Sequence, residues 1–67
     1  MENKIGRTLK YEGKHIPNAS LSKLFARYNI SYELIKVEVD PYVLIVEVLG
    51  KEEDISDMLF ETSWRIW

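Results

Sequence analysis

Hydrophobic and polar residues alternate in two runs within residues 31–50, which read SYELIKVEVDPYVLIVEVLG. Alternation with a period of two, in runs rich in valine and isoleucine, is typical of β-strands. The Asp40-Pro41 pair between the runs predicts a turn, so we expect a hairpin. Because Pro41 cannot adopt the positive φ of a type I′ turn, the expected loop has four residues.

The register of this hairpin decides which side chains share a face of the sheet. If Val39 lies opposite Tyr42, one face is almost wholly apolar, because residues that lie opposite each other share a face. That face holds Ile35, Val37, Leu44 and Val46, and we expect the helices to cover it. The other face is mixed and carries the candidate interaction residues Tyr32, Leu34, Lys36, Glu38, Val43, Ile45 and Glu47.

A helix over residues 20–28 is predicted by a stripe of apolar residues at i, i+3, i+4 and i+7, namely Leu21, Leu24, Phe25 and Tyr28. Either Asn18 or Ser20 is the expected N-cap, since the side-chain oxygen of each can accept a bond from a free amide. Asn29 followed by Ile30 predicts a left-handed C-cap and a Schellman-type end of the helix.

The remaining segments predict a second helix and two outer strands. After Gly50, the stretch KEEDISDMLFE predicts a short helix with Asp54 as its N-cap and an apolar stripe of Ile55, Met58 and Leu59. Alternation predicts a first strand in IGRTLKYEG and a last, edge strand in TSWRIW, with Trp64 and Trp67 on opposite faces. Residues 1–4 are expected to be a frayed polar terminus.

The order of elements is β-α-β-β-α-β, which predicts one α+β domain over residues 1–67 with the ferredoxin-like arrangement. Right-handed crossovers put both helices on one face of a four-stranded antiparallel sheet, so the reverse face has no cover. Two alternatives stay open for that open face. Lysine and glutamate stems cover its aliphatic residues and nothing binds there, or it is a partner surface, most simply for a second copy, face to face or edge to edge.

Composition narrows the function classes. The chain has 67 residues, no cysteine and 46% hydrophobic residues, so a dense core or self-association must stabilise it. A net charge of −2 argues against a nucleic-acid partner, which would require a concentrated basic patch. No apolar run reaches the length of a membrane span, and the N-terminus has no secretory signal, so we expect a cytoplasmic protein.

The residues that carry chemistry are few. His15 is the only histidine and lies in a loop between Gly13 and Pro17, where a solvated side chain is the rule. Without a second histidine or a thiol, we expect no catalytic set, no metal site and no cofactor. The acidic stretch KEEDISD lacks the spacing of an EF-hand and fits a helix N-terminus instead. The chain is therefore not expected to be an enzyme.

Two stretches of the chain, taken together, are similar to a known family: HIPNASLSKLFARYNISYELIKVEV and LIVEVLGKEEDISDMLF. They resemble the NIL domain, which is found at the C-terminus of methionine-importer ATPases and in small stand-alone proteins. The shared features are Pro17 before the first helix, Leu-x-x-Leu-x-x-x-Tyr on it, and Leu-Gly before an acidic helix start. The resemblance implies a regulatory domain that dimerises and binds an amino acid. No ligand residue is carried over, because YELI replaces the motif that gives the family its name.

These observations predict a non-enzymatic regulatory or interaction module that self-associates through its open sheet face or an edge, with an amino acid as a candidate small ligand. The alternative is a stand-alone protein-binding factor, such as a phage or bacterial accessory or inhibitor protein. On the predicted register, Val37→Asp should unfold the domain, whereas Ile45→Glu should weaken self-association and leave the monomer folded.

Overall fold

The computed structural model of the protein describes residues 3–67. Along the chain, its elements are β1 (Lys4–Glu12), α1 (Asn18–Arg27), β2 (Ser31–Val39), β3 (Tyr42–Lys51), α2 (Glu52–Glu61) and β4 (Arg65–Ile66). The strands form one antiparallel sheet in the order β2-β3-β1-β4. This is the ferredoxin-like α+β arrangement predicted from the order of elements. Lys4 already belongs to β1, so the frayed terminus is wrong there, and residues 1 and 2 lie outside the described residues.

The hydrophobic core lies between the two helices and one face of the sheet. Its buried members come from both helices, from strands β1 and β3, and from two connecting segments: Leu9, Leu21, Phe25, Ile30, Leu44, Val46, Val48, Ile55, Met58 and Trp64. Leu9 and Val46 lie opposite each other on the central strands, and neither side chain is exposed. The helices therefore cover the face that carries Leu44 and Val46, as predicted.

Aromatic rings tie helix α1 to both margins of the sheet. The Phe25 ring stacks on Tyr32 of β2 with centroids 4.5 Å apart and meets Trp64 edge-on at 5.4 Å. Trp64 in turn stacks on Tyr11 of β1 at 5.3 Å. Aromatic contacts of this kind add to the free energy gained from burial, so Phe25 is the central packing residue of the domain.

Helix α1 confirms the predicted stripe and C-terminal end. Leu21 and Phe25 are buried, and Asn29 adopts the left-handed conformation with φ of 59°. The Ile30 amide donates to the Phe25 carbonyl at 3.0 Å and the Asn29 amide to that of Ala26, which is the Schellman pattern. The N-cap prediction is wrong. The helix begins at Asn18 after Pro17, and no side chain caps it.

Helix α2 begins two residues before its predicted cap. It starts at Glu52 directly after β3, so Asp54 lies in the first turn and no side chain caps the helix. Three carboxylates in that turn face the positive end of the helix dipole, which stabilises the start electrostatically. At the other end, the Thr62 hydroxyl donates to the Met58 carbonyl at 2.6 Å. Ile55 and Met58 are buried, which confirms the apolar stripe.

The β2–β3 hairpin keeps the predicted pairing of Val39 with Tyr42, but its turn and a bulge differ from the prediction. Val39 pairs directly with Tyr42 across a two-residue turn, so the expected four-residue loop is wrong. The Asp40–Pro41 peptide bond is cis, and the proline occupies the third position of the turn, as in type VI turns. A β-bulge lies between Leu34 and Lys36 and leaves Ile35 without a partner. Since a bulge inserts one residue, every β2 residue before Ile35 changes face.

The strands extend beyond the helices that cover them. Each helix has ten residues and is about 15 Å long, whereas the nine residues of β2 extend for about 30 Å. The molecule is accordingly elongated, measuring 42 × 21 × 20 Å. Ile35 and Val37, predicted to be buried under the helices, are 52% and 45% exposed. The basis for expecting Val37→Asp to unfold the domain is therefore wrong.

Ionisation of the Tyr28 hydroxyl should lower the stability of the domain at alkaline pH. Its hydroxyl donates to Glu61 Oε1 at 2.6 Å, joining the C-terminal ends of α1 and α2. This hydrogen bond, partial desolvation and the Glu61 charge raise the pKa of Tyr28 above its usual value. A raised pKa in the folded state stabilises the fold below the unfolded-state pKa, and this contribution disappears as pH rises through the folded-state pKa.

We therefore expect urea unfolding midpoints of the wild type to fall above pH about 10 more steeply than those of Tyr28→Phe, which lacks the ionisable hydroxyl. Glu61→Gln keeps a hydrogen-bond acceptor but removes the charge, so its midpoint should fall less steeply than that of the wild type. Parallel pH profiles for the wild type and both variants would contradict this assignment.

Candidate interaction surfaces

Five of the seven predicted interaction residues lie together on the sheet face that points away from the helices. The pairing of β2 with β3 brings Lys36 opposite Ile45 and Glu38 opposite Val43, as predicted. Glu47 lies on the same face and pairs with Thr8 of β1. We call this surface the open face.

Tyr32 and Leu34 do not belong to the open face. Because the bulge shifts the register, they pair with Val48 and Val46 and lie on the helix side of the sheet. Tyr32 is half-buried against Phe25, and its hydroxyl lies 3.1 Å from the Ser22 hydroxyl of α1. The assignment of these two residues to the mixed face is therefore wrong, and the cause is the single extra residue at position 35.

The open face is largely covered by its own long side chains. Val43 and Ile45 are only 8% and 4% exposed, although neither belongs to the core under the helices. The register places Lys10 of β1 and Lys36 of β2 on either side of Ile45. A lysine in such a position covers aliphatic neighbours with its stem and keeps its ammonium group in water. This geometry favours the alternative in which lysine and glutamate stems cover the face.

Ion pairs join the long charged side chains of the open face. Lys10 Nζ lies 3.1 Å from Glu12 Oε1, and Lys36 Nζ lies 3.0 Å from Glu38 Oε1. Arg65 of β4 reaches the same Glu12 oxygen at 3.6 Å. Exposed ion pairs contribute little free energy by themselves. The lysines and glutamates of the first two pairs lie opposite Ile45 and Val43 in the register.

At the opposite end of the open face, a shallow depression lies over Gly6. Two adjoining hollows of about 460 and 320 Å³ share Gly6, Glu47 and Val48 as lining residues. A Cβ built on Gly6 would have only the Val48 carbonyl oxygen near it, at 3.8 Å. The lack of a side chain at position 6 therefore leaves room for a small molecule above the strand.

Strand β2 is the second candidate surface. It forms one edge of the sheet, so one side of its backbone has no strand neighbour within residues 3–67. Four apolar residues along this edge are exposed, at fractions from 40% to 81%: Leu34, Ile35, Val37 and Val39. Burying this strip would remove apolar area from water, which is the main favourable contribution to association. We call this strip, residues 34–39, the β2 edge.

His15, the only histidine of the chain, belongs to neither surface. The His15 ring lies 5.1 Å from the Tyr42 ring, in the loop after β1. Within residues 3–67, no three histidine, aspartate or glutamate side chains come close enough together to hold a metal ion. Neither helix in the described part of the chain has the length and apolar character needed to cross a membrane.

Comparison with known proteins finds no match to this chain among protein-family models, curated proteins or solved structures. The resemblance to the NIL domain stays a prediction.

Sequence reasoning missed the β2 edge because it placed Ile35 and Val37 in the core. One available signal was length, since a ten-residue helix covers only about half of a nine-residue strand. No feature of the sequence indicated the bulge, because an alternating pattern fits the pairing of β2 with β3 both with and without one inserted residue. The ion pairs over Ile45 depend on side-chain conformations that the residue pattern does not encode.

Proposed function

We propose that the protein is a non-enzymatic interaction module that self-associates through the β2 edge. The observation that carries the proposal is an edge strand whose apolar residues remain exposed along most of its length. An unpaired row of backbone N–H and C=O groups binds another strand readily, because main-chain hydrogen bonds supply affinity and side chains supply specificity.

The β2 edge is a better docking surface than the open face. Ile45, at the centre of the open face, is 4% exposed, so a partner would gain little apolar contact there. On the β2 edge, Val37 is 45% exposed and Val39 is 81% exposed. Association through the edge would also stabilise a small domain that has no cysteine to form a disulfide.

The charges along β2 support self-association. Natural edge strands are often protected by lysines or bulges that discourage pairing. Strand β2 has a bulge at Ile35 and a lysine at position 36, but Glu38 balances the lysine charge, with Lys36 Nζ 3.0 Å from Glu38 Oε1. A second copy brings the same two charges in reverse order, so antiparallel pairing is electrostatically favourable.

Size-exclusion chromatography with light scattering, over a range of protein concentrations, tests the proposal. We expect the wild-type mass to rise from monomer toward dimer with concentration, and Val37→Glu to remain a monomer. Leu49→Glu is the matched control, because Leu49 is 47% exposed but lies on β3, away from the edge. A monomeric wild type at every concentration would refute self-association. Loss of the dimer in Leu49→Glu alone would move the interface to the open face.

The depression over Gly6 favours a second candidate function, the binding of a small ligand such as an amino acid. A thermal-shift screen against amino acids and small metabolites tests it. A ligand that seats there should raise the melting temperature of the wild type but not of Gly6→Val, whose side chain would occupy the floor. A flat response across the panel would remove this function and leave self-association unaffected.

Binding of a different protein is the remaining alternative. A stand-alone accessory or inhibitor protein would use the same β2 edge to receive a strand of its target. A pull-down in which Val37→Glu loses one defined protein that the wild type retains would favour this role over self-association. A cytoplasmic location stays a prediction, and the absence of cysteine from the chain is consistent with it.

A further inference from the structure

We infer that two copies of this chain pair antiparallel along β2 with Val37 on the two-fold axis, forming a continuous eight-stranded sheet. This inference rests on the proposed function and specifies its partner and register. In this arrangement, Lys36 lies opposite the partner's Glu38, and Val37 lies opposite the partner's Val37. The two four-stranded sheets of the monomers join at their β2 edges.

Parity limits the possible positions of the axis. Residues opposite each other in an antiparallel pair point to the same face of the sheet. Val37 points to the helix side, with Leu44 as its neighbour, whereas Lys36 and Glu38 point to the open face. If the helices of both copies lie on one side of the joined sheet, each residue must pair with a partner residue that is an even number of positions away in the sequence. The two-fold axis therefore passes through a residue rather than between two residues.

Charge then selects among the residues. An axis through Lys36 would place two ammonium groups opposite each other, and an axis through Glu38 would do the same with two carboxylates. Like charges directly opposite are destabilising, whereas opposite charges stabilise the pair. Only the axis through Val37 brings each lysine of this segment opposite a glutamate, and it does so twice by symmetry.

Apolar contacts favour the same register. Val37 contacts the partner's Val37 at the centre, and this side chain is 45% exposed in the monomer. Val39, which is 81% exposed, comes opposite the partner's Ile35 at each end. The turn at Asp40 and the bulge at Ile35 limit the paired segment to about five residues per copy. An interface this short should give a reversible, concentration-dependent dimer.

The chain has no cysteine, so single cysteine substitutions test the register directly. Two copies of Val37→Cys would lie opposite each other, with Cα atoms about 4.5–5.5 Å apart, which is within reach of a disulfide. Under mild oxidation we expect a covalent dimer. Val39→Cys is the matched control, because its two copies would lie four residues apart along the strands, about 13 Å.

Charge exchange provides an independent test that leaves the exposed apolar strip intact. Lys36→Glu and Glu38→Lys should each lose the dimer, because each creates two like-charge pairs. Mixing these two variants should restore association as a heterodimer, since every pair across the axis then has opposite signs. The double variant with both changes should dimerise alone.

The outcomes separate this inference from the proposed function. A wild type that dimerises while Val39→Cys cross-links better than Val37→Cys would refute the register and retain self-association. Dimers insensitive to both charge changes would do the same. A wild type that stays monomeric would refute both proposals. Cross-linking of Val37→Cys together with recovery on mixing would support both.

Discussion

Replacing Phe25 by alanine is expected to lower the free energy of unfolding of the protein by several kcal/mol. The Phe25 side chain is fully buried and contacts both Tyr32 and Trp64. Truncating a buried phenylalanine to alanine costs about 3–5 kcal/mol, because transfer free energy is lost and a cavity remains. A chain of 67 residues has a total stability of about 3–10 kcal/mol. The substitution therefore removes a large share of the stability.

Urea titrations followed by far-UV circular dichroism measure this effect. Phe60→Ala is the matched control, because it makes the same chemical change on a side chain that is 92% exposed. We expect Phe60→Ala to change the free energy of unfolding by less than about 0.5 kcal/mol. Similar midpoints for the two variants would contradict the core described above.

The second large effect is expected on the open face, where Ile45→Lys should destabilise the fold by about 2–4 kcal/mol. Loss of a buried isoleucine accounts for about 1.5–3 kcal/mol. The remainder comes from repulsion, because a lysine at position 45 would stand between Lys10 and Lys36. Raising the salt concentration should recover part of the loss, since screening weakens repulsion between exposed charges.

Ile45→Glu provides the comparison at the same site. It loses the same apolar side chain but places a carboxylate between the two lysines, so its cost should be smaller and should increase with salt. Val37→Lys, on the exposed β2 edge, should leave the unfolding midpoint of the monomer nearly unchanged. Equal costs for lysine and glutamate at position 45 would mean that the two lysines do not flank it.

The effects expected for these variants are the opposite of those that the sequence pattern predicts. Strict alternation puts Val37 in the core and Ile45 on an open surface, yet Val37 is 45% exposed and Ile45 is 4% exposed. The faces themselves were assigned correctly at these positions. The degree of burial was not, because it depends on how far the helices reach and on which long side chains fold over the strand.

Elements that rest on local periodicity were predictable. The stripe of α1, the left-handed Asn29 and the order of the strands follow from residue spacing and connection rules. The register was predictable only from the turn to Lys36, because the bulge at Ile35 reverses the faces beyond it. Tyr32 was therefore assigned to the wrong surface, although it packs on Phe25.

The two tryptophans occupy opposite extremes of solvent access. Trp64 is 3% exposed within the core, whereas Trp67, 69% exposed, borders the open face beside Lys10 and Lys36. These are the only tryptophans in the chain. Fluorescence collected with a water-soluble quencher should therefore separate into a protected and an accessible component. The accessible emission reports on events at the sheet surface, and the protected emission reports on the integrity of the interior, without any added label.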